Sequence, residues 1–147
     1  MQEIRLHWEL FKSGVLSRRT SELIMGRLLS LQTLVNVEYL RTHPDTPALY
    51  DSGLRYAAEG AYNEEWKSIP VALTGDVLDC EDAATFRAAE LIASGEDPEA
   101  RAVFRGRMIA PGRRLYHVVT RRGDGTIEDP SRVLGMGTRK RPRRLTP

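Results

Sequence analysis

Thr74-Gly75-Asp76-Val77-Leu78-Asp79-Cys80-Glu81-Asp82-Ala83-Ala84 holds the single cysteine of a 147-residue chain. It reads as a glycine-containing loop turning into an alanine-rich helix. Asp79 is a natural N-cap, and Asp82 stands three places on, near the capping-box arrangement. The helix is expected over about 80–94, with Gly95 just past its end. Ala84, Ala88, Leu91 and Ile92 should form its buried face, with Ala83 and Arg87 flanking, and the small alanines allow close approach to a sheet. A thiol at a helix N-terminus faces unpaired N–H groups and the positive end of the helix dipole, both of which favour the thiolate. Position alone does not make a nucleophile, because a lone cysteine is most often a small buried apolar residue. The acids Asp76, Asp79, Glu81 and Asp82 oppose thiolate formation by like-charge repulsion.

What gives Cys80 company lies downstream. Three strands are expected at 102–109, 114–121 and 126–129, separated by Ala110-Pro111-Gly112 and by Gly123-Asp124-Gly125, with Pro130 ending the third. His117 falls in the second strand and Asp129 at the end of the third. A two-residue Asp124-Gly125 loop would pair Thr120 with Asp129 and send His117 to the opposite face. A three-residue Gly123-Asp124-Gly125 loop pairs Arg122 with Thr126 and makes Asp129 the diagonal same-face neighbour of His117. The three-residue loop, with a glycine in the left-handed region, is therefore the expectation. Residues 131–136 read as a loop or one helical turn.

Upstream, residues 17–41 read as one long helix, capped by Ser17 or Thr20 and stopped by Pro44 and Pro47. Leu23, Ile24, Leu28, Leu31, Val35 and Leu40 form its main apolar stripe, and Leu29, Leu34 and Val37 lie partly off it. A second apolar side invites contact with another subunit. Residues 42–53 form a proline-containing connection, 54–62 read as a short helix, and Trp66 with Ile69-Pro70 as a loop. At the N-terminus, Ile4, Leu6, Trp8 and Leu10 alternate as in a half-buried strand; an amphipathic turn or an arm laid on a partner reads nearly as well.

The length suits one domain with a real core, and 41% hydrophobic with 29% charged residues is ordinary globular composition. No membrane-span-length apolar run and no signal-like N-terminus stand out. One cysteine excludes an internal disulfide framework, and His7, His43 and His117 lack mutual ligand spacing, so no metal site is expected. The net charge of +2 hides an asymmetry. Arg139, Lys140, Arg141, Arg143 and Arg144 make a basic tail without acids; removing these five from 22 basic residues leaves 17 against 20 acidic, a net −3 for residues 1–136. The tail is either solvated charge or a non-specific, salt-sensitive contact to nucleic acid or an acidic protein surface.

Asp79-Cys80-Glu81-Asp82-Ala83, Ala88-Ala89-Glu90-Leu91 with Gly95, Tyr116-His117-Val118-Val119, Asp124-Gly125 with Ile127-Glu128-Asp129-Pro130-Ser131, and Leu134-Gly135-Met136 carry a resemblance. The segment from about Tyr50 to Met136 resembles the transglutaminase-like branch of the papain-fold cysteine peptidases, most of all the short stand-alone versions of tailed bacteriophages. That resemblance implies an α+β core with the cysteine helix packed on an antiparallel sheet. It divides the chain into an N-terminal arm and long helix (1–49), the transglutaminase-like domain (50–136) and the basic tail (137–147). It further implies Cys80 as nucleophile, His117 as general base and acid, Asp129 as orienting group, and no cofactor. The expected activity is a cysteine peptidase or amidase-type hydrolase acting on protein substrate or virion proteins, in a virion or the host cytoplasm. The chain departs from the papain pattern in having no glutamine between Gln32 and Cys80 to serve as oxyanion donor. The backbone N–H of Cys80 with Trp66 Nε1 or Tyr62 is expected to serve instead. The alternative is a weak or inactive enzyme fold used as a structural or assembly component, with the long helix, aromatic arm and basic tail as contacts for a homo- or hetero-oligomer.

Overall fold

The computed structural model describes residues 17–59, 65–111 and 113–138. In chain order they form helix α1 (Arg18–Thr42), a 3₁₀ turn (Leu49–Asp51), strand β1 (Arg55–Tyr56), the one-turn helix α2 (Ile69–Ala72), strand β2 (Val77–Leu78), helix α3 (Cys80–Ala93), strands β3 (Arg101–Ala110), β4 (Arg113–Arg121) and β5 (Ile127–Glu128), and the one-turn helix α4 (Pro130–Val133). The fold class is α+β. An antiparallel sheet of order β3-β4-β5 packs against α3, and β1 pairs with β2 as a separate parallel ladder. The N-terminal arm, Tyr62 and the basic tail lie outside the described residues.

Helix α3 begins where its sequence says it should. Asp79 caps it by accepting the Asp82 N–H at 3.3 Å, and Gly95 follows its end with φ +76°. It is buried on more than one face, so the single-stripe expectation was too narrow. Ala83 and Phe86 pack with Leu49, Leu54, Ile69, Ala72 and Leu78 on one side. Ala84 packs with Leu29, Ala102 and Val118 on the other, where Thr120 Oγ1 also donates to the Ala84 carbonyl at 3.0 Å. Fully burying a side chain such as Phe86 contributes about 1.5–3 kcal/mol.

The β4–β5 hairpin takes the three-residue loop. Thr120 pairs with Glu128 and Arg121 with Ile127, the Arg122 N–H donates to the Thr126 carbonyl at 2.8 Å, and Gly125 sits at φ +90°. A left-handed backbone costs a residue with a Cβ roughly 1–2 kcal/mol, which explains the glycine.

Three expectations need correction. Residues 54–59 contain no helix: the Arg55 N–H donates to the Asp76 carbonyl and the Ala57 N–H to the Leu78 carbonyl, so long-range pairing with β2 overrides the local alanine preference. Ile69-Pro70 opens a helical turn, with Pro70 in the first turn, where a missing N–H costs nothing. Helix α1 turns a different face inward from the stripe expected. Its buried residues are Leu29, Thr33, Asn36 and Val37, whereas Leu23 (61% exposed), Leu31, Leu34 (64%) and Val35 face solvent. The cause is polar. Asn36 Oδ1 accepts the Ile69 N–H at 2.9 Å and its amide donates to Thr85 at 3.5 Å; Gln32 Nε2 donates to the Lys67 carbonyl and to Asp82. These bonds satisfy backbone and carboxylate groups around the start of α3 that burial would otherwise leave unpaired.

Candidate functional site

His117 and Asp129 meet. The His117 Nε2 lies 3.0 Å from both Asp129 carboxylate oxygens, and both side chains are about one-fifth exposed. The three-residue loop is the reason: it puts both residues on one face of the hairpin, two strand positions apart in register. Asp129 is fixed from the other direction as N-cap of α4, accepting the Arg132 N–H at 3.4 Å, with the Arg132 Nε at 3.3 Å. The short strand β5 is itself held to α3. Arg87 Nε bonds Glu128 at 2.8 Å, the Tyr50 hydroxyl donates to the same carboxylate at 2.5 Å, and Arg87 also reaches Glu90 at 3.0 Å.

Cys80 sits beside this pair at the edge of β4. Along β4, Thr120 and Arg122 turn their backbone groups towards β5, and Val118 is next in line. The register would place Pro130 opposite Val118, but proline has no N–H and Pro130 already belongs to α4. The end of β5 therefore opens a gap, and the N-terminus of α3 fills it: the Val118 N–H faces the Cys80 sulfur. The Cys80 sulfur thereby meets the residue that directly follows His117 in β4. With Nε2 engaged by Asp129, Nδ1 is the ring nitrogen left without a partner among the described residues.

The resting thiol points elsewhere. Cys80 Sγ donates to Glu81 Oε2 at 3.1 Å, and no hydrogen bond joins Cys80 to His117. Burial pushes the thiol well above its usual range, Glu81 adds charge repulsion and its hydrogen bond, and the Val118 N–H opposes the rise. The neighbouring acids are strained in the same sense. Burial first, then the Glu81 charge, raises Asp79 far above an ordinary carboxylate; burial and the Asp79 charge raise Asp82, against the bonds it accepts from the Lys67 N–H and Gln32. Asp82 is 1% exposed and its Oδ2 has no hydrogen-bond partner.

Of the proposed oxyanion donors, Trp66 lies in the loop before α2 and packs with Cys80 against Leu29, Ala84, Ala102 and Val118. Tyr62 and the candidate contacts Arg139, Lys140, Arg141, Arg143 and Arg144 lie outside the described residues. Sequence reasoning missed Tyr56, whose phenol lies within the fields of Cys80, Asp79, Glu81 and Asp129. Its local context, Tyr56-Ala57-Ala58, carries only a helix signal; the strand pairing that places it is long-range. Among the described residues no group of three or more His, Cys, Asp or Glu side chains could hold a metal ion, and no helix is long and apolar enough to cross a membrane.

The arrangement supplies a thiol, an imidazole with one nitrogen bonded to a carboxylate and the other unengaged, and helix N-terminal N–H groups beside the sulfur. Those are the parts needed for nucleophilic attack on a carbonyl. Comparison of the chain with protein-family models, with curated proteins and with solved structures found no match.

Proposed function

We propose that the chain is a thiol-dependent hydrolase of the cysteine peptidase or amidase type, with a papain- or transglutaminase-like core. The observation that carries this is the His117–Asp129 bond beside the helix-borne Cys80. In the reaction the Cys80 proton passes to His117 Nδ1 as the sulfur attacks a carbonyl carbon. The C–N bond then breaks, His117 returns the proton to the leaving amine, and water hydrolyses the thioester with His117 again as base. Asp129 holds the imidazole by Nε2 and stabilises its protonated form. The sulfur must first leave Glu81 for this to begin, so charging the imidazole is what draws the thiolate out. A protein substrate and a place in or on a phage particle follow from the family resemblance.

The test is hydrolysis of a dye-quenched protein such as labelled casein, together with iodoacetamide labelling. Cys80→Ala should abolish both; hydrolysis that survives the substitution sinks the proposal.

A second reading makes the protein a structural or assembly component with little activity. The raised, Glu81-bound thiol and the exposed Leu23, Leu31, Leu34 and Val35 on α1 favour it. Replacing those four by polar residues without any change in oligomeric state or assembly would count against it.

A further inference from the structure

A tetrahedral intermediate would carry a negative oxygen, and a side-chain donor other than Trp66 is available for it. A strand pairing and two backbone hydrogen bonds bring that donor into position. Tyr56 pairs with Leu78, two residues before Cys80; the Ala57 N–H donates to the Leu78 carbonyl at 2.9 Å; and the Tyr56 N–H donates to the Leu134 carbonyl at 2.9 Å. Leu134 is the C-cap of α4, whose N-cap is Asp129. Tyr56 is thus stitched both to the segment that delivers the thiol and to the one that delivers the orienting carboxylate.

Its hydroxyl is half-buried and makes no hydrogen bond among the described residues. Burial, followed by the charges of Cys80, Asp79, Glu81 and Asp129, raises its pKa, so the phenol keeps its proton. A neutral phenol with an unused O–H, within the field of the thiol and its acids, is a donor awaiting an acceptor. At the start of α3 the N–H groups of Asp82 and Ala83 are already bonded to Asp79, whereas those of Cys80 and Glu81 are not. The open donors are therefore backbone N–H groups at the start of α3, the Tyr56 hydroxyl and the indole N–H of Trp66. Trp66 is held by its packing against the apolar cluster that Cys80 also joins, whereas Tyr56 is held by backbone bonds to both catalytic segments.

We infer that Tyr56 is a catalytic residue that donates its hydroxyl hydrogen bond to the oxyanion formed when Cys80 attacks a carbonyl. The inference rests on the thiol-hydrolase reading. In that step the S–C bond forms, the carbonyl π pair moves to oxygen, and the Tyr56 O–H and the Cys80 N–H hydrogen-bond that oxygen. Tyr56 transfers no proton. When the intermediate collapses, the pair returns to the carbonyl and the C–N or C–O bond breaks.

Two reactions of the intact protein separate this role from others. Acylation by 4-nitrophenyl acetate passes through an oxyanion; alkylation by iodoacetamide is a direct displacement of iodide and does not. Tyr56→Phe should lower the acylation burst rate on the order of 10²-fold, the usual loss for one oxyanion donor. It should leave the alkylation rate and its pH profile within about twofold, and unchanged circular dichroism would show that the fold is kept. Equal losses in both reactions would overturn the inference, because Tyr56 would then be setting the thiolate instead. A burst within threefold of wild type would overturn it too, as would a loss in Trp66→Phe with Tyr56→Phe silent. If wild type shows no burst that Cys80→Ala removes, the hydrolase reading itself fails and takes the oxyanion role with it.

Discussion

The two halves of the site are built on opposite terms. The His117–Asp129 half stands on a hairpin whose register follows from a three-residue loop, and its hydrogen bonds are complete in the resting molecule. The Asp79–Cys80–Glu81–Asp82 half stands at the buried start of α3, where the acids that begin the helix repel one another and hold the thiol protonated. One half is ready and the other is restrained. A helix N-terminus is usually credited with lowering a thiol pKa, by an interaction worth about 0.3–1 kcal/mol for exposed charges. Here burial and adjacent carboxylates outweigh it. The lesson is that the dipole argument decides little once the charges within two residues of the sulfur have the wrong sign.

The comparison breaks hardest at Asp129. Asp129→Asn keeps a good N-cap for α4 but removes the carboxylate that fixes the His117 tautomer. Hydrolysis should fall on the order of 10³–10⁴-fold, the scale seen when an orienting aspartate becomes asparagine in a Ser-His-Asp triad. Turnover within tenfold of wild type would show that the ready half is decorative.

The restrained half should respond in the opposite direction. Glu81→Gln removes the charge beside the thiol while keeping an acceptor, so the midpoint of the pH profile for iodoacetamide labelling should drop. About tenfold faster labelling at neutral pH, equivalent to about 1.4 kcal/mol, is the expected size. An unmoved midpoint would mean that Glu81 does not restrain the thiol.

The smallest effect concerns stability. Asp79 and Asp82 release their protons at higher pH in the folded state than in the unfolded chain, where the ordinary carboxylate pKa is about 4. The folded state therefore binds more protons, and the stability they contribute is complete below that pH and is lost as pH rises towards and through neutrality. Thermal unfolding between pH 5 and 8.5 should show the decline, and Asp82→Asn should flatten it by roughly 1–2 kcal/mol over that span. A slope identical to wild type would place the strain elsewhere.

Much of this was legible because it is local. The Asp79 cap, the α3 helix ended by Gly95, and the glycine-bearing three-residue loop each depend on residues within a few positions of one another. Strand parity then carries the loop length forward to His117 and Asp129 without further information. What was not legible is what distant partners decide. Helix α1 offers apolar residues on two sides, and periodicity alone favoured a stripe of which Leu23, Leu31 and Val35 face solvent while Leu40 packs on the core. The inward side was chosen by Asn36 and Gln32, which bond Ile69, Lys67 and Asp82 across more than thirty residues of chain.

Tyr56 shows the same limit more sharply. Nothing around it signals a strand, yet pairing with Leu78 and a bond to Leu134 tie it to the segments that carry Cys80 and Asp129. The sequence by itself determined the thiol, imidazole and carboxylate of the candidate site, because caps, turns and parity act over short range. Tertiary structure alone decided their protonation and their neighbours: burial and the approach of α1, β1 and β4 around the start of α3 are long-range facts. They raise the thiol, hold it to Glu81 and bring the Tyr56 phenol within its field.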